Sequence, residues 1–128
     1  MTRSWNPASP AGGGLDIPYS PAAVSDGYVH VAGVISSDAS GAIIADDFAS
    51  QAKRTFGNLV TTLEAAGCSA ADVVHVTTYL TDRDDFDAFN EVFKATFADP
   101  YPARVTVIAQ LIVPDLSIEV TAVAARPR

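Results

Sequence analysis

Cysteine and basic side chains are both scarce in this sequence of 128 residues. The single cysteine, Cys68, excludes an internal disulfide framework, and because no base stands beside it, a small buried residue explains it better than a nucleophile. Eight lysines and arginines stand against fifteen aspartates and glutamates, so the net charge is −7. An acidic surface repels nucleic-acid phosphates unless its basic residues are concentrated in one place, and here they are scattered. We therefore expect no nucleic-acid partner.

A long apolar run is also missing from the N-terminal part of the sequence. Prolines and glycines begin at residue 7, before any segment long enough for a signal peptide or a membrane span. We therefore expect a cytoplasmic protein with no membrane partner. The two histidines, His30 and His75, have no acidic or cysteine companion at ligand spacing, so no metal site is expected.

Apolar residues make up 48% of the chain, which is enough for a domain of this length to bury its own core. We expect one domain over residues 1–128. Within it, residues 1–18 are rich in proline and glycine and predict an irregular N-terminal arm.

Hydrophobic periodicity predicts seven further elements in the order β-β-α-β-α-β-β. They are a hairpin within 22–35 turning at Asp26-Gly27, a helix from Asp46 or Asp47 to Gly67, a strand at 73–80, a helix capped by Asp84 or Asp85 and ending before Pro100, and strands near 103–110 and 116–124. Phenylalanines at helical spacing in the second helix predict a core-facing stripe rather than a ligand box: Phe86, Phe89, Phe93 and Phe97. This order is typical of an α+β fold, in which a mixed sheet carries two helices on one face.

The last two predicted strands suggest self-association. Period-two alternation predicts that Val105, Val107, Ile118 and Val120 face the helices. The opposite face would then carry Arg104, Thr106, Ile108, Glu119, Thr121 and Val123. This face is too apolar to be left in water, so we expect a homo-oligomer whose subunits pack sheet to sheet.

Two charged residues interrupt these strands. Arg104 cannot lose its charge and therefore needs an anion, and Glu119 lies in the next strand along the chain. One interpretation is a structural ion pair between them. The other is a shared site, in which Arg104 holds a substrate carboxylate by two hydrogen bonds while Glu119 handles a proton or a water molecule.

An ordered set of short motifs over nearly the whole chain resembles the RidA/YjgF family of imine deaminases, also called L-PSP proteins. The motifs are Pro18-Tyr19-Ser20-Pro21-Ala22, Ala32-Gly33, Gln51, Asn58, Ala66-Gly67, Asp72-Val73-Val74, Asp85-Phe86, Asn90, Pro102-Ala103-Arg104 and Ile118-Glu119.

The resemblance implies a chorismate-mutase-like α+β fold, assembled as a homotrimer with ligand clefts between subunits. It also implies hydrolytic deamination of 2-imino or 2-enamino acids to 2-keto acids and ammonia. Arg104 would bind the substrate carboxylate, Glu119 would activate water and Tyr19 would help to close the pocket. Further contacts to the small-molecule substrate would come from Ala32, Gly33, Asn90 and Thr106. An imine carbon needs only orientation and proton transfer, so no cofactor is expected.

Three positions depart from the family pattern, which commonly has Ser-Gly-Gln where this chain has Ala32-Gly33-Val34 and often has serine where it has Val105. Without the hydroxyl and amide side chains of the family pattern, the substrate pocket would hold fewer polar groups. Such a pocket would favour imino acids with apolar side chains. The alternative is a non-catalytic module that binds keto acids or other carboxylates. The RNA cleavage sometimes attached to the family conflicts with the acidic balance of the chain.

Overall fold

Five strands hydrogen-bond into one mixed sheet in the computed structural model, which describes residues 17–127 of the chain. The elements are β1 (Ala22–Ser25), β2 (Tyr28–Val31), α1 (Phe48–Ala65), β3 (Val73–Leu80), α2 (Phe86–Thr96), β4 (Ala103–Ile108) and β5 (Ile118–Ala125). The strands lie in the order β1-β2-β5-β3-β4, and only β3 and β4 run parallel. The predicted order of elements is therefore confirmed. Residues 1–16 of the predicted arm lie outside the described residues.

Local signals in the sequence set the first turn and the first helix. Asp26 and Gly27 both have positive φ angles, 53° and 80°, and form the predicted hairpin turn. The carboxylate of Asp47 accepts a hydrogen bond from the backbone N–H of Ser50 at 3.0 Å, which caps α1. Gly67, with φ of 83°, follows the last turn of that helix as predicted.

The start of the second helix differs in detail from the prediction. A 3-10 turn at Arg83–Asp85 precedes α2, and the carboxylate of Asp82 caps this turn by accepting from the N–H of Asp84 at 2.9 Å. Asp85 occupies the N-cap position of α2 without a side-chain hydrogen bond. The chain therefore enters α2 through a short turn that has its own cap.

Both helices pack on one face of the sheet, and aromatic rings join them. The Phe56 ring on α1 lies 6.0–6.2 Å, between centroids, from the rings of Phe89, Phe93 and Phe97. On the sheet side, Ile118 and Val120 are fully buried, as predicted. No helix among residues 17–127 combines the length and the apolar character needed to cross a bilayer.

The predicted orientation of Val105 and Val107 is wrong. They pair with Thr77 and Tyr79 of β3, on the sheet face that points away from the helices, and they are 48% and 39% exposed. Each face of β4 carries apolar residues, so alternation alone does not decide which face points to the core. Pairing with β3 decides it. The helix-facing positions of β4 are those level with buried residues of β3: Arg104 with Val76, Thr106 with Thr78, and Ile108 with Leu80.

Strand β2 is shorter than predicted. It ends at Val31 rather than at Ile35. The N–H of Ala32 still donates to the carbonyl of Pro21 at 2.8 Å, but a proline has no N–H with which to return a ladder bond. Pairing with β5 resumes only at Val34, which exchanges two hydrogen bonds with Val120. Between these points the backbone leaves the ladder, next to Glu119.

Candidate functional site

Arg104 lies on edge strand β4, with its guanidinium against the aromatic stripe of α2. The guanidinium carbon is 5.8, 5.2 and 4.8 Å from the ring centroids of Phe86, Phe89 and Phe93. Cation–π attraction to these rings holds the guanidinium without using its N–H donors. Among residues 17–127, no carboxylate lies within salt-bridge distance of Arg104. The predicted alternative of an ion pair with Glu119 is therefore wrong within one chain.

A cavity of about 550 Å³ opens beside this guanidinium, which is a volume suited to a small molecule. It is lined by Asp87, Asn90, Glu91, Phe93, Lys94, Tyr101, Pro102 and Arg104. Lys94 and Glu91 form an exposed ion pair at 3.7 Å, so the charge of this lysine is already partly balanced. Arg104 is therefore the cation of this cavity that has no carboxylate partner in the described part of the chain.

Two other candidate residues accompany Arg104. Asn90 lines the same cavity, and its Oδ1 atom is buried with no hydrogen-bond partner among residues 17–127. Thr106 is two residues further along β4, on the same face as Arg104. We call Arg104, Asn90 and Thr106 the helix-face half-site.

Glu119 lies on the opposite face of the sheet. It is level with Tyr79 of β3, and its carboxyl group packs against the backbone of Gly33. A Cβ atom at residue 33 would overlap Glu119 Oε2 and would stand 3.1 Å from the carboxyl carbon. Burial raises the pKa of the Glu119 carboxyl above its ordinary value. The carboxyl of Glu119 therefore occupies a space that exists only because residue 33 has no side chain, and we call this space the Gly33 notch.

The backbone around this notch is held on both sides. Ala32 is hydrogen-bonded to Pro21, and Val34 is hydrogen-bonded to Val120. Tyr19 is half-buried and stands two residues before Pro21, so chain connectivity keeps it close to the same end of the sheet. We call Glu119, Gly33, Ala32 and Tyr19 the open-face half-site.

One chain does not bring the two half-sites together, so Arg104 and Glu119 do not share a pocket within a subunit. Arg104 is level with Val76 and Glu119 with Tyr79, and these two positions of β3 face opposite sides. Strand β3 also lies between β4 and β5, which separates their axes by about 10 Å. A second copy of the chain is needed to place Glu119 beside Arg104.

The sequence pattern does not predict that aromatic rings of α2 contact the guanidinium of Arg104. The spacing of Phe86, Phe89 and Phe93 predicts a core stripe, and Phe89 and Phe93 are indeed buried. Phe86 is 43% exposed and helps to hold the guanidinium instead. Among residues 17–127, no three His, Cys, Asp or Glu side chains come together in a way that could hold a metal ion.

The Gly33 notch makes a first prediction. Gly33→Ala must displace the carboxyl of Glu119, so we expect any activity that depends on this carboxyl to fall by about tenfold or more, because a displacement of a reacting group by about 1 Å can cost far more than that. Gly57→Ala in α1 is the matched control, since a Cβ there meets nothing within 4 Å. The control should keep full activity and gain about 0.5–1 kcal/mol of stability from helix propensity. Steady-state kinetics and thermal unfolding of both variants test this, and full activity in Gly33→Ala would contradict it.

Comparisons with known proteins agree on one family. The family model described as Endoribonuclease L-PSP matches residues 15–126. A RutC family protein of Pyrococcus abyssi is 42% identical over 108 residues, covering 84% of this chain and 85% of the relative. Human 2-iminobutanoate/2-iminopropanoate deaminase is 35% identical over 108 residues, covering 84% and 79%. The crystal structure of RidA from an Antarctic Psychrobacter matches with a TM-score of 0.83 and 32% identity, covering 89% of this chain and 93% of that one.

Proposed function

Because this chain belongs to the RidA/L-PSP family, we propose that it hydrolyses 2-imino acids, or their enamine tautomers, to 2-keto acids and ammonia. The observation that carries the proposal is the guanidinium of Arg104. It stands beside a cavity of about 550 Å³, is supported by aromatic rings, and has no carboxylate partner among residues 17–127. A guanidinium is planar and permanently charged, and it can donate two parallel hydrogen bonds to a substrate carboxylate.

The proposed active assembly is a chorismate-mutase-like homotrimer with clefts between subunits. It is supported by the position of the two half-sites on opposite faces of the sheet, since a neighbouring copy can supply the half that each subunit lacks. The open face also exposes Tyr28, Val105 and Val107, which a second copy would cover. The single domain over residues 1–128 and the cytoplasmic location remain predictions.

The reaction follows from the chemistry of the two half-sites. Arg104 holds the carboxylate, and the backbone amides near Gly33 and Thr106 orient the substrate. The Glu119 carboxylate takes a proton from water as the water oxygen bonds to C2 of the protonated imine, and the C=N electron pair moves to nitrogen to give a neutral carbinolamine. Glu119 then passes this proton to the carbinolamine nitrogen. The C–N bond breaks, ammonia leaves with the electron pair, and the hydroxyl oxygen gives its proton back to Glu119 as it becomes the keto oxygen. Tyr19 closes the cleft and Asn90 contacts the substrate. No cofactor is required, because positioning and proton transfer suffice.

A raised pKa suits Glu119 to this role, because a general base works best when its pKa lies near the working pH. The pKa of an exposed glutamate is lower, so its carboxylate would be a weaker base. The partial burial of Glu119 against Gly33 therefore favours proton transfer.

A second candidate function is a non-catalytic module that binds keto acids through Arg104. Ala32 and Val34 favour this function, because their side chains supply neither a hydroxyl nor an amide group beside the Gly33 notch. RNA cleavage, which the description of the matching family suggests, ranks last, because the net charge is −7 and two carboxylates, Asp87 and Glu91, line the Arg104 cavity.

A coupled assay separates these functions. An amino-acid oxidase generates the 2-imino acid, and semicarbazide traps whatever imine remains. We expect the protein to lower the trapped imine and to accelerate the release of 2-keto acid and ammonia. Binding of 2-keto acids in calorimetry, without hydrolysis above background, would favour the binding module. Ribonuclease activity that persists through extensive purification would favour RNA cleavage.

A further inference from the structure

Gln51 is a fully buried amide on α1 that the proposed reaction does not use. It is 1% exposed, and both ends of its amide are engaged. Nε2 donates to the carbonyl of Asp46 at 2.7 Å, and Oε1 accepts from the N–H of Ser117 at 2.8 Å. A buried amide with two backbone partners links three parts of the chain: the segment before α1, the helix itself and the segment before β5.

The bond to Ser117 fixes the point where β5 begins. The carbonyl of Ser117 accepts from the N–H of Thr81 at 3.3 Å, so the sheet holds this residue from one side and Gln51 holds it from the other. Glu119 follows two residues later. A shift at Ser117 therefore reaches the Glu119 carboxyl through two residues of strand.

The same helix also holds the segment that follows Gly33. Nδ2 of Asn58 donates to the carbonyls of Ile35 and Ser37 at 3.0 Å each. Helix α1 thus fixes the backbone that leads into Glu119 and the backbone that leads away from Gly33. The carboxyl of Glu119 packs against Gly33 between these two anchored segments.

We propose that Gln51 is a positioning residue for Glu119, which keeps the carboxyl in the Gly33 notch by anchoring Ser117 from behind the sheet. This inference rests on the proposed function, because it assigns Gln51 a part in the step that Glu119 performs. An apolar residue at position 51 would leave the N–H of Ser117 and the carbonyl of Asp46 without these partners. The start of β5 would then lose its attachment to α1.

The test compares three variants of α1. Gln51→Met keeps the length and volume of the side chain and removes both hydrogen bonds. Gln51→Glu restores them when the buried carboxyl is protonated, because its O–H can donate to Asp46 while its second oxygen accepts from Ser117. Thr55→Val is the matched control. Thr55 lies one turn further along α1, is also fully buried, and has a hydroxyl with no partner among residues 17–127.

Two readouts separate positioning from a general loss of stability. In Gln51→Met we expect kcat for imine hydrolysis to fall by about tenfold or more, with KM changed by less than about twofold, since Arg104 and its cavity are untouched. We also expect the pKa of the Glu119 carboxyl, followed by carbon-13 NMR, to move from its raised value toward that of an ordinary glutamate, because the loosened carboxyl meets more water. Gln51→Glu should recover most of the loss in kcat, and Thr55→Val should match the wild type in both readouts.

Three outcomes overturn the inference. They are a folded Gln51→Met variant with wild-type kcat and an unchanged Glu119 titration, no recovery in Gln51→Glu when it is as stable as the wild type, and equal losses in Thr55→Val. If the wild-type protein hydrolyses no imine, the proposed function fails. The Glu119 titration then decides alone whether Gln51 positions the carboxyl.

Discussion

Arg104→Ala is expected to lower kcat/KM for imine hydrolysis by about a hundredfold or more and to remove measurable binding of 2-oxobutanoate, because the variant lacks the charged fork that holds the carboxylate. Arg104→Lys keeps the charge but loses the planar pair of donors, so it should recover only part of the activity. Coupled oxidase kinetics and calorimetry measure both effects.

The control for this prediction is Arg83→Ala. Arg83 is exposed on the 3-10 turn before α2 and does not line the Arg104 cavity. Its loss removes the same charge from the same acidic chain and should leave kinetics and binding unchanged. Equal losses in the two variants would mean that net charge, rather than the guanidinium beside the cavity, controls the reaction.

Glu119→Gln is expected to change activity and stability in opposite directions. Removal of a general base lowers kcat by about a hundredfold or more. The stability effect follows from the pKa, which burial raises in the folded chain. Between the ordinary pKa of Glu119 in the unfolded chain and its raised pKa in the folded chain, the folded chain binds more protons. The contribution of Glu119 to stability is therefore greatest below the ordinary pKa and is lost as pH rises through the raised pKa.

Thermal unfolding of Glu119→Gln at acidic and neutral pH measures this effect. A neutral amide escapes the cost of burying a charge, so the Tm of the variant should exceed that of the wild type at pH 7 and should come close to it near pH 4. The wild-type kcat/KM should fall as pH decreases through the raised pKa of Glu119. A variant with lower Tm at pH 7 and unchanged kcat would show that Glu119 is a structural residue.

Much of this fold could be predicted from local patterns, because those patterns act over a few residues. The turn at Asp26-Gly27 needs positive φ, the carboxylate of Asp47 caps a helix that starts at the next residue, and helical spacing places Phe89 and Phe93 of α2 toward the core. Each of these signals is read from neighbours in the chain.

The orientation of β4 could not be predicted in that way. Val105 and Val107 alternate with Arg104, Thr106 and Ile108, so both faces carry apolar residues and the pattern has no preferred side. The parallel register with β3 sets the orientation, and it places Arg104 on the face opposite to Glu119. Their charges within apolar strands, and then the resemblance to a family, identified both residues as candidates, but only the register revealed that they belong to separate half-sites.

The Gly33 notch and the support of Arg104 depend on contacts between distant parts of the chain. Gly33 meets Glu119 because pairing between Val34 and Val120 brings the two segments together. The guanidinium of Arg104 meets the rings of α2 because β4 is the edge strand beside that helix. No local sequence pattern specifies either contact.

The central claim is that one catalytic cleft takes Arg104 from one subunit and Glu119 from another, and mixed assemblies test it most directly. Arg104→Ala and Glu119→Gln chains carrying different tags are co-expressed and purified through both tags in turn, so that every assembly contains both variants. Each variant alone should be nearly inactive. In a mixed assembly of the proposed trimeric form, one cleft of the three regains both residues, so we predict about one third of wild-type activity. Mixed assemblies as inactive as the separate variants would contradict the account.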